Sequence, residues 1–275
     1  MQHMKYKMLN RIIKVLEYVL IFVLVCCSIF ILNGTIEKIF VNKEIRDFKE
    51  RGEYVGTETI NGQNVKMYLV KAKYDYEDVS RPSFNKVEKY GVIKYYLGSK
   101  TDITITSRNP LRMVDSGLIR DIAGFFSNNF YIGHATINIT DDGSKYIESV
   151  GNLGSNNGVL ESYNSWVDTE IRGGDDTNRI VGLRLKNTTE EIRENIAKEV
   201  QSKVGMEYNF NFFIPKKDKY YCTDLISRTT KKYGIDINYD GMFSIGNDII
   251  LSKNTYLIFY IDRVSRGNFE FYYLG

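Results

Sequence analysis

An apolar run near the N-terminus constrains this chain more than any other feature. From Ile12 to Leu32 the sequence reads IIKVLEYVLIFVLVCCSIFIL, and between Tyr18 and Leu32 it carries no charge and one small polar residue, Ser28. About 20 apolar residues in a helix match the hydrocarbon thickness of a bilayer, and the run reaches that length with Lys14 and Glu17 at the interface. A soluble helix that is apolar all round would need a large domain wrapped about it, so a transmembrane helix over 12–33 is the expectation. The run exceeds the roughly 7–15 apolar residues of a cleavable signal peptide, and Leu32-Asn33-Gly34-Thr35 is not a small-x-small cleavage site. Val23-Leu24-Val25 also lacks the small residue expected before a lipoprotein cysteine at Cys26 or Cys27. Lys5, Lys7, Arg11 and Lys14 precede the span, while Lys38, Lys43 and Arg46 follow it, a mild bias toward an inside N-terminus. The topology expected is a single-pass protein with a cytoplasmic tail over 1–11 and an extracytoplasmic main domain.

After the span, residues 34–53 are charged, with apolar Ile36, Ile39, Phe40 and Ile45, and read as a helical stalk that acts as a spacer. Residues 54–99 hold short β-rich pieces, Val65 to Val70 and Val92 to Leu97, expected as an accessory strand layer. Residues 100–275 form the main domain. Within it Asp102 to Thr106 alternates as a strand, and Leu111 to Phe126 sets Leu118, Ile119, Ile122 and Phe126 at helical spacing. Gly133 to Ile139 and Lys145 to Val150 flank Asp141-Asp142-Gly143 as a hairpin. A loop rich in Gly and Asn leads to a strand at Arg179 to Leu185, and Thr188-x-x-Glu191 reads as a capping box that opens a helix ended by Gly205. Tyr220 to Tyr233, closed by Gly234, reads as a further helix, and Tyr256 to Ile261 and Asn268 to Leu274 as strands. The fold class is α+β.

The 37 basic and 34 acidic residues are spread along the chain, with a net charge of +3 and no basic stripe, so a nucleic-acid partner is not expected. The 3 cysteines are Cys26, Cys27 and Cys222, two of them in the apolar run, which excludes a disulfide framework and leaves Cys222 a free thiol. Of the 2 histidines, His3 lies in the tail, and His134 is the imidazole available to the domain. One imidazole and one thiol do not make a zinc site, and Asp141-Asp142-Gly143 lacks the spacing of a calcium loop, so neither metal nor cofactor is expected.

The same two residues suit nucleophilic catalysis. A cysteine at the start of a helix meets unpaired N–H groups and the positive end of the helix dipole, which stabilise thiolate over thiol. His134 is the base that such a nucleophile would use, and a carboxylate on the neighbouring strand, Glu148, would hold the ring's far nitrogen. Register decides this last assignment. With a two-residue Asp142-Gly143 turn, Glu148 faces away from His134. With a three-residue loop and Gly143 left-handed, Thr136 pairs with Glu148, and His134 and Glu148 become diagonal neighbours about 7–8 Å apart on one face. Glu161 is the reserve for the orienting role. Tyr208, Phe210, Phe212 and Phe213 precede the cysteine helix; most are expected to pack, and some to wall a substrate groove.

The succession of Asp102-Ile103-Thr104-Ile105, Gly133-His134-Ala135-Thr136-Ile137, Tyr146-Ile147-Glu148-Ser149, Gly158-Val159 and Tyr220-Tyr221-Cys222-Thr223-Asp224-Leu225-Ile226 resembles the YiiX-like branch of circularly permuted, NlpC-type papain-fold hydrolases over residues 100 to 262. In that branch the histidine strand precedes the cysteine helix. The resemblance implies a permuted papain-like fold and a cysteine peptidase or amidase with His134 as base, Glu148 as orienting group and Cys222 as nucleophile. Thr223-Asp224 stands where the family usually has Ser-Glu, and Thr101-Asp102 where it has Gly-Asp. On an extracytoplasmic anchor, the expected substrates are peptides or other amides, the cell-wall peptides of peptidoglycan among them. Two alternatives stand beside this: a lipid-directed acyltransferase or thioesterase of the same fold, whose usual Asn-Cys-Glu-His is absent here, and a non-catalytic membrane-anchored binding module.

Overall fold

The apolar run and the charged segment after it form one unbroken helix, α1 (Gln2–Lys49), in the computed structural model of the chain. The structure describes residues 2–275 apart from 90, 110–116, 152–156, 172–178, 213 and 242. Asn33-Gly34-Thr35 does not break the helix: the Thr35 hydroxyl donates back to the Ile31 carbonyl at 2.7 Å, and Gly34 packs against the Phe130 ring. The segment expected as a spacer has a buried side. Val41, Ile45 and Phe48 enter the hydrophobic core because their spacing sets them on one stripe facing the domain.

In chain order there follow β1 (Gly52–Ile60), β2 (Gln63–Val70), β3 (Phe84–Lys89), β4 (Val92–Leu97), β5 (Ile103–Thr106), α2 (Gly117–Phe130), β6 (His134–Asn138), β7 (Lys145–Val150), β8 (Gly158–Tyr163) and α3 (Trp166–Glu170). The remainder comprises β9 (Ile180–Leu185), α4 (Glu190–Gln201), β10 (Glu207–Tyr208), β11 (Lys219–Tyr220), α5 (Cys222–Lys231), α6 (Gly246–Leu251), β12 (Thr255–Ser265) and β13 (Asn268–Leu274). Nine strands form one sheet in the order β1-β2-β13-β12-β9-β5-β6-β7-β8. The central strands β5 and β9 are buried along their whole length, which requires cover on both faces.

The β1–β2 hairpin turns at Asn61-Gly62, where φ values of 51° and 74° fit a two-residue turn of the hairpin type. It does not form a layer of its own. β2 pairs in parallel with β13, so the hairpin continues the main sheet. β3 and β4 pair with each other outside it. The loop before β3 is clamped to the sheet by the buried Arg184 of β9, which makes a two-pronged ion pair with Asp102 at 2.7 and 2.8 Å and donates to the carbonyls of Asp78, Arg81 and Pro82.

Other details differ from the sequence reading. α4 is capped by Thr189, whose hydroxyl accepts from the Ile192 N–H at 3.2 Å, one residue later than the Thr188 box. The stretch read as a Gly- and Asn-rich loop contains β8 and α3. Leu111 to Ser116, expected to begin a helix, lie outside the described residues.

Candidate active site

The β6–β7 hairpin sets the first part of the site. Thr136 stands opposite Glu148 and Asn138 opposite Tyr146, and the Ile139 N–H reaches the Lys145 carbonyl at 3.0 Å. This is the three-residue loop over Asp141-Asp142-Gly143. Gly143 has φ 70° and sits so close to the Gly98 carbonyl that a Cβ would fall 2.1 Å from its oxygen, so the position admits glycine alone. Asp142 Oδ1 accepts from the Ser144 N–H at 3.0 Å and braces the turn. The register places His134 and Glu148 on one face, and Nε2 of His134 meets Oε2 of Glu148 at 2.7 Å.

A second residue holds the carboxylate. Ser162, on β8, donates from its hydroxyl to Oε1 of Glu148 at 2.5 Å. Trp166, at the start of α3, covers the same face: its indole N–H donates to the Thr136 hydroxyl at 3.2 Å, and its ring lies 6.0 Å from the imidazole. Neither residue was singled out from the sequence, since both follow the Gly- and Asn-rich stretch. The signal that marks Ser162 is alternation from Val159, once Leu160 is set opposite Glu148. Glu161 pairs with Ile147 on the other face and ion-pairs with Lys145 at 2.8 Å, so the structure does not bring it to His134.

Cys222 is the first residue of α5, after Tyr221 in an extended conformation. Local bonds fix this entry. The Ser149 hydroxyl of β7 donates to the Tyr220 carbonyl at 2.6 Å, and the Thr223 hydroxyl donates to the Ser244 carbonyl at 2.6 Å. Asp224 in the first turn pairs with Arg228 one turn on at 3.1 Å. α5 packs across β6 and β7, which brings the Cys222 sulfur beside the His134 ring. Glu148 occupies Nε2, so Nδ1 is the nitrogen left for the sulfur. Cys222 is half-buried, open to a small reactant yet set against the core.

Burial works against a charged imidazole, but the hydrogen bonds and negative charge of Cys222 and Glu148 outweigh it and raise His134 to about 10. For Glu148, burial favours the neutral acid, but His134 and the Ser162 hydroxyl reverse this and lower it below the usual range. The neighbours of the ring thus favour its protonated form.

Aromatic side chains cluster just ahead of Cys222 in the chain. Tyr208 packs edge to face on Phe210 at 4.9 Å, and Phe212 packs likewise on Tyr221 at 5.3 Å, with Lys216 and Lys219 on the rim of the same pocket. Phe213 lies outside the described residues. Among the described residues, the group that could hold a cation is Glu37 of α1, Asp248 of α6 and Asp240 of the loop before it, with carboxylate oxygens within 4.8 Å of one another. Cys222, His134 and Glu148 are not part of it.

Residues 121–255 match the model of the permuted papain-like amidase family, YaeF/YiiX, C92. The match runs from within α2 to the first residue of β12 and takes in His134, Glu148 and Cys222 in the permuted order. The chain matches no curated protein and no solved structure. The histidine strand ahead of the cysteine helix and the match across both make residues 121–255 similar to the YiiX-like hydrolases of the permuted papain fold, a family of the cysteine peptidase and amidase type.

Proposed function

We propose that the chain is a membrane-anchored amide hydrolase in which Cys222 is the nucleophile, His134 its acid–base partner and Glu148 the group that orients the ring. The observation that carries this reading is the imidazole bonded to Glu148 and set beside Cys222, at the first turn of a helix. The thiolate adds to the carbonyl carbon, and the Cys222 backbone N–H, which has no partner within the helix, faces the developing oxyanion. His134 gives its proton to the departing nitrogen as the C–N bond breaks, which leaves a thioester on sulfur and a free amine. Water then adds to the thioester while His134 takes one of its protons. The C–S bond breaks, the acid departs, and the thiolate–imidazolium pair is restored. Glu148 holds the orientation of the ring throughout and its charge whenever the ring is protonated.

The apolar part of α1 supports the anchor: its mean hydropathy reaches 2.8 and the domain covers none of it. On the extracytoplasmic side, wall peptides are amides within reach of such a domain.

A thiol-reactive probe tests the catalytic reading. Labelling of Cys222 that disappears in His134→Ala is the expected result, whereas labelling indifferent to the imidazole favours a binding module. Incubation with purified wall peptides and, in parallel, with phospholipids separates the substrates: new amine termini support amide cleavage, and released fatty acid transfers the reading to a lipid substrate.

A further inference from the structure

Helix α2 presents two faces with different partners. Ala123, Ser127 and Phe130 are turned into the protein, and the Ser127 hydroxyl is tied to the Ser107 and Arg108 carbonyls. On the far side Leu118, Ile122 and Phe125, spaced i, i+4 and i+7, form a stripe whose members are 72%, 49% and 55% exposed. Single exposed apolar side chains are ordinary on a soluble surface; three in register along one helix face mark a contact. Ile132, just beyond the helix, is exposed as well.

The position of α2 on α1 indicates what it contacts. α2 meets α1 where the bare apolar run ends: the Phe130 ring fills the space beside Gly34, and Lys38 donates to Asn129 Oδ1 at 2.6 Å. Gly34 is the first buried residue on the described part of α1, so α2 belongs to the part of the domain nearest the apolar run. From there the inward side of α1 is buried at Glu37, Val41 and Ile45, but its outward side stays apolar and exposed through Ile36, Ile39 and Phe40. Arg120, exposed on α2 itself, is a basic partner for lipid headgroups.

We propose that α2 lies in the membrane interface, with Leu118, Ile122 and Phe125 set at the boundary of headgroups and acyl chains, as a second contact beside the α1 span. The inference rests on the reading of α1 as a transmembrane anchor and adds to it the tilt of the domain and the height of its site. His134 follows Phe130 by four residues, which at most about 3.6 Å each keeps the two Cα atoms within ~14 Å of one another. The thiol therefore meets its substrates at the bilayer surface rather than out in solution.

The full chain reconstituted into vesicles of phosphatidylcholine with phosphatidylglycerol provides the test. Ile122→Trp adds an emitter on the exposed stripe, and Trp166, 5% exposed beneath α3, is the background measured in the unsubstituted protein. With lipids brominated near the headgroup end of the acyl chain, the added emission is expected to fall at least twofold, while the Trp166 signal changes little. Added emission that is unquenched in protein retained after an alkaline carbonate wash overturns the interfacial helix and leaves the anchor standing. Protein that the wash removes overturns the anchor, and the interfacial helix with it.

Discussion

Two buried acidic sites in this molecule titrate in opposite directions, and comparison shows that the partner, not the burial, decides. Glu148 faces an imidazole and a hydroxyl, and its carboxylate is held ionised. Asp248 is more deeply buried, at 1% exposure, but its neighbours are the carboxyl groups of Asp240 and Glu37, and burial together with their repulsion raises it to about 7. One carboxylate is set to hold a charge on a neighbour, the other to hold a proton of its own. The first belongs to the proposed chemistry, the second to the seam between α1 and α6.

The largest effect that tests this contrast is removal of either member of the proposed ion pair. Cys222→Ala is expected to abolish turnover, and His134→Ala to lower it by about 10²–10⁴-fold, with the fold retained by circular dichroism. At the other site the effect is on stability. Asp248 has a folded pKa above its unfolded value of 3.8, so the folded state binds its proton more tightly. That contribution is complete below pH 3.8 and is lost as pH rises through about 7. Asp248→Asn keeps an oxygen for the Ile245 N–H, and it should remove a decline on the order of 2–4 kcal/mol between pH 4 and 8, read as melting temperature against pH in chelator.

Glu148→Gln sharpens the comparison by removing the charge but not the shape. The imidazolium of the native pair is lost as pH rises through about 10, and the alkaline limb of the pH–rate profile should follow. In the variant that limb is expected to move to lower pH, with turnover near neutrality reduced on the order of tenfold, part of the usual acid–base contribution. Ser162→Ala is the mildest test. Loss of its bond to Oε1 should cost ~1–2 kcal/mol in thermal stability and raise the pH at which Glu148 is protonated, seen as an acid limb shifted upward.

How much of this was legible in the sequence depended on distance along the chain. The hairpin loop, the glycine that needs positive φ and the pairing of Thr136 with Glu148 are local, and turn chemistry is enough to read them. Ser162 and Trp166 reach the same face from beyond a stretch with no periodicity, and nothing local announces them. Helix α2 differs for another reason. Its spacing set Leu118 and Ile122 on one stripe without saying what covers it, and the structure turns Ala123, Ser127 and Phe130 inward instead. Periodicity finds an apolar stripe and cannot say whether protein or lipid covers it. Thr188 and Thr189 illustrate a smaller ambiguity, since adjacent hydroxyls offer two frames for one cap.

The place of β13 in the sheet has a consequence for biosynthesis. This strand, made long after β2, is inserted between β2 and β12, with Phe269 beside Val65 and Leu274 beside Val70. The β1–β2 hairpin therefore emerges early and waits with an open edge until β13 is made. That edge must stay sheltered for the whole interval, and closure of the sheet becomes the late, long-range event of folding.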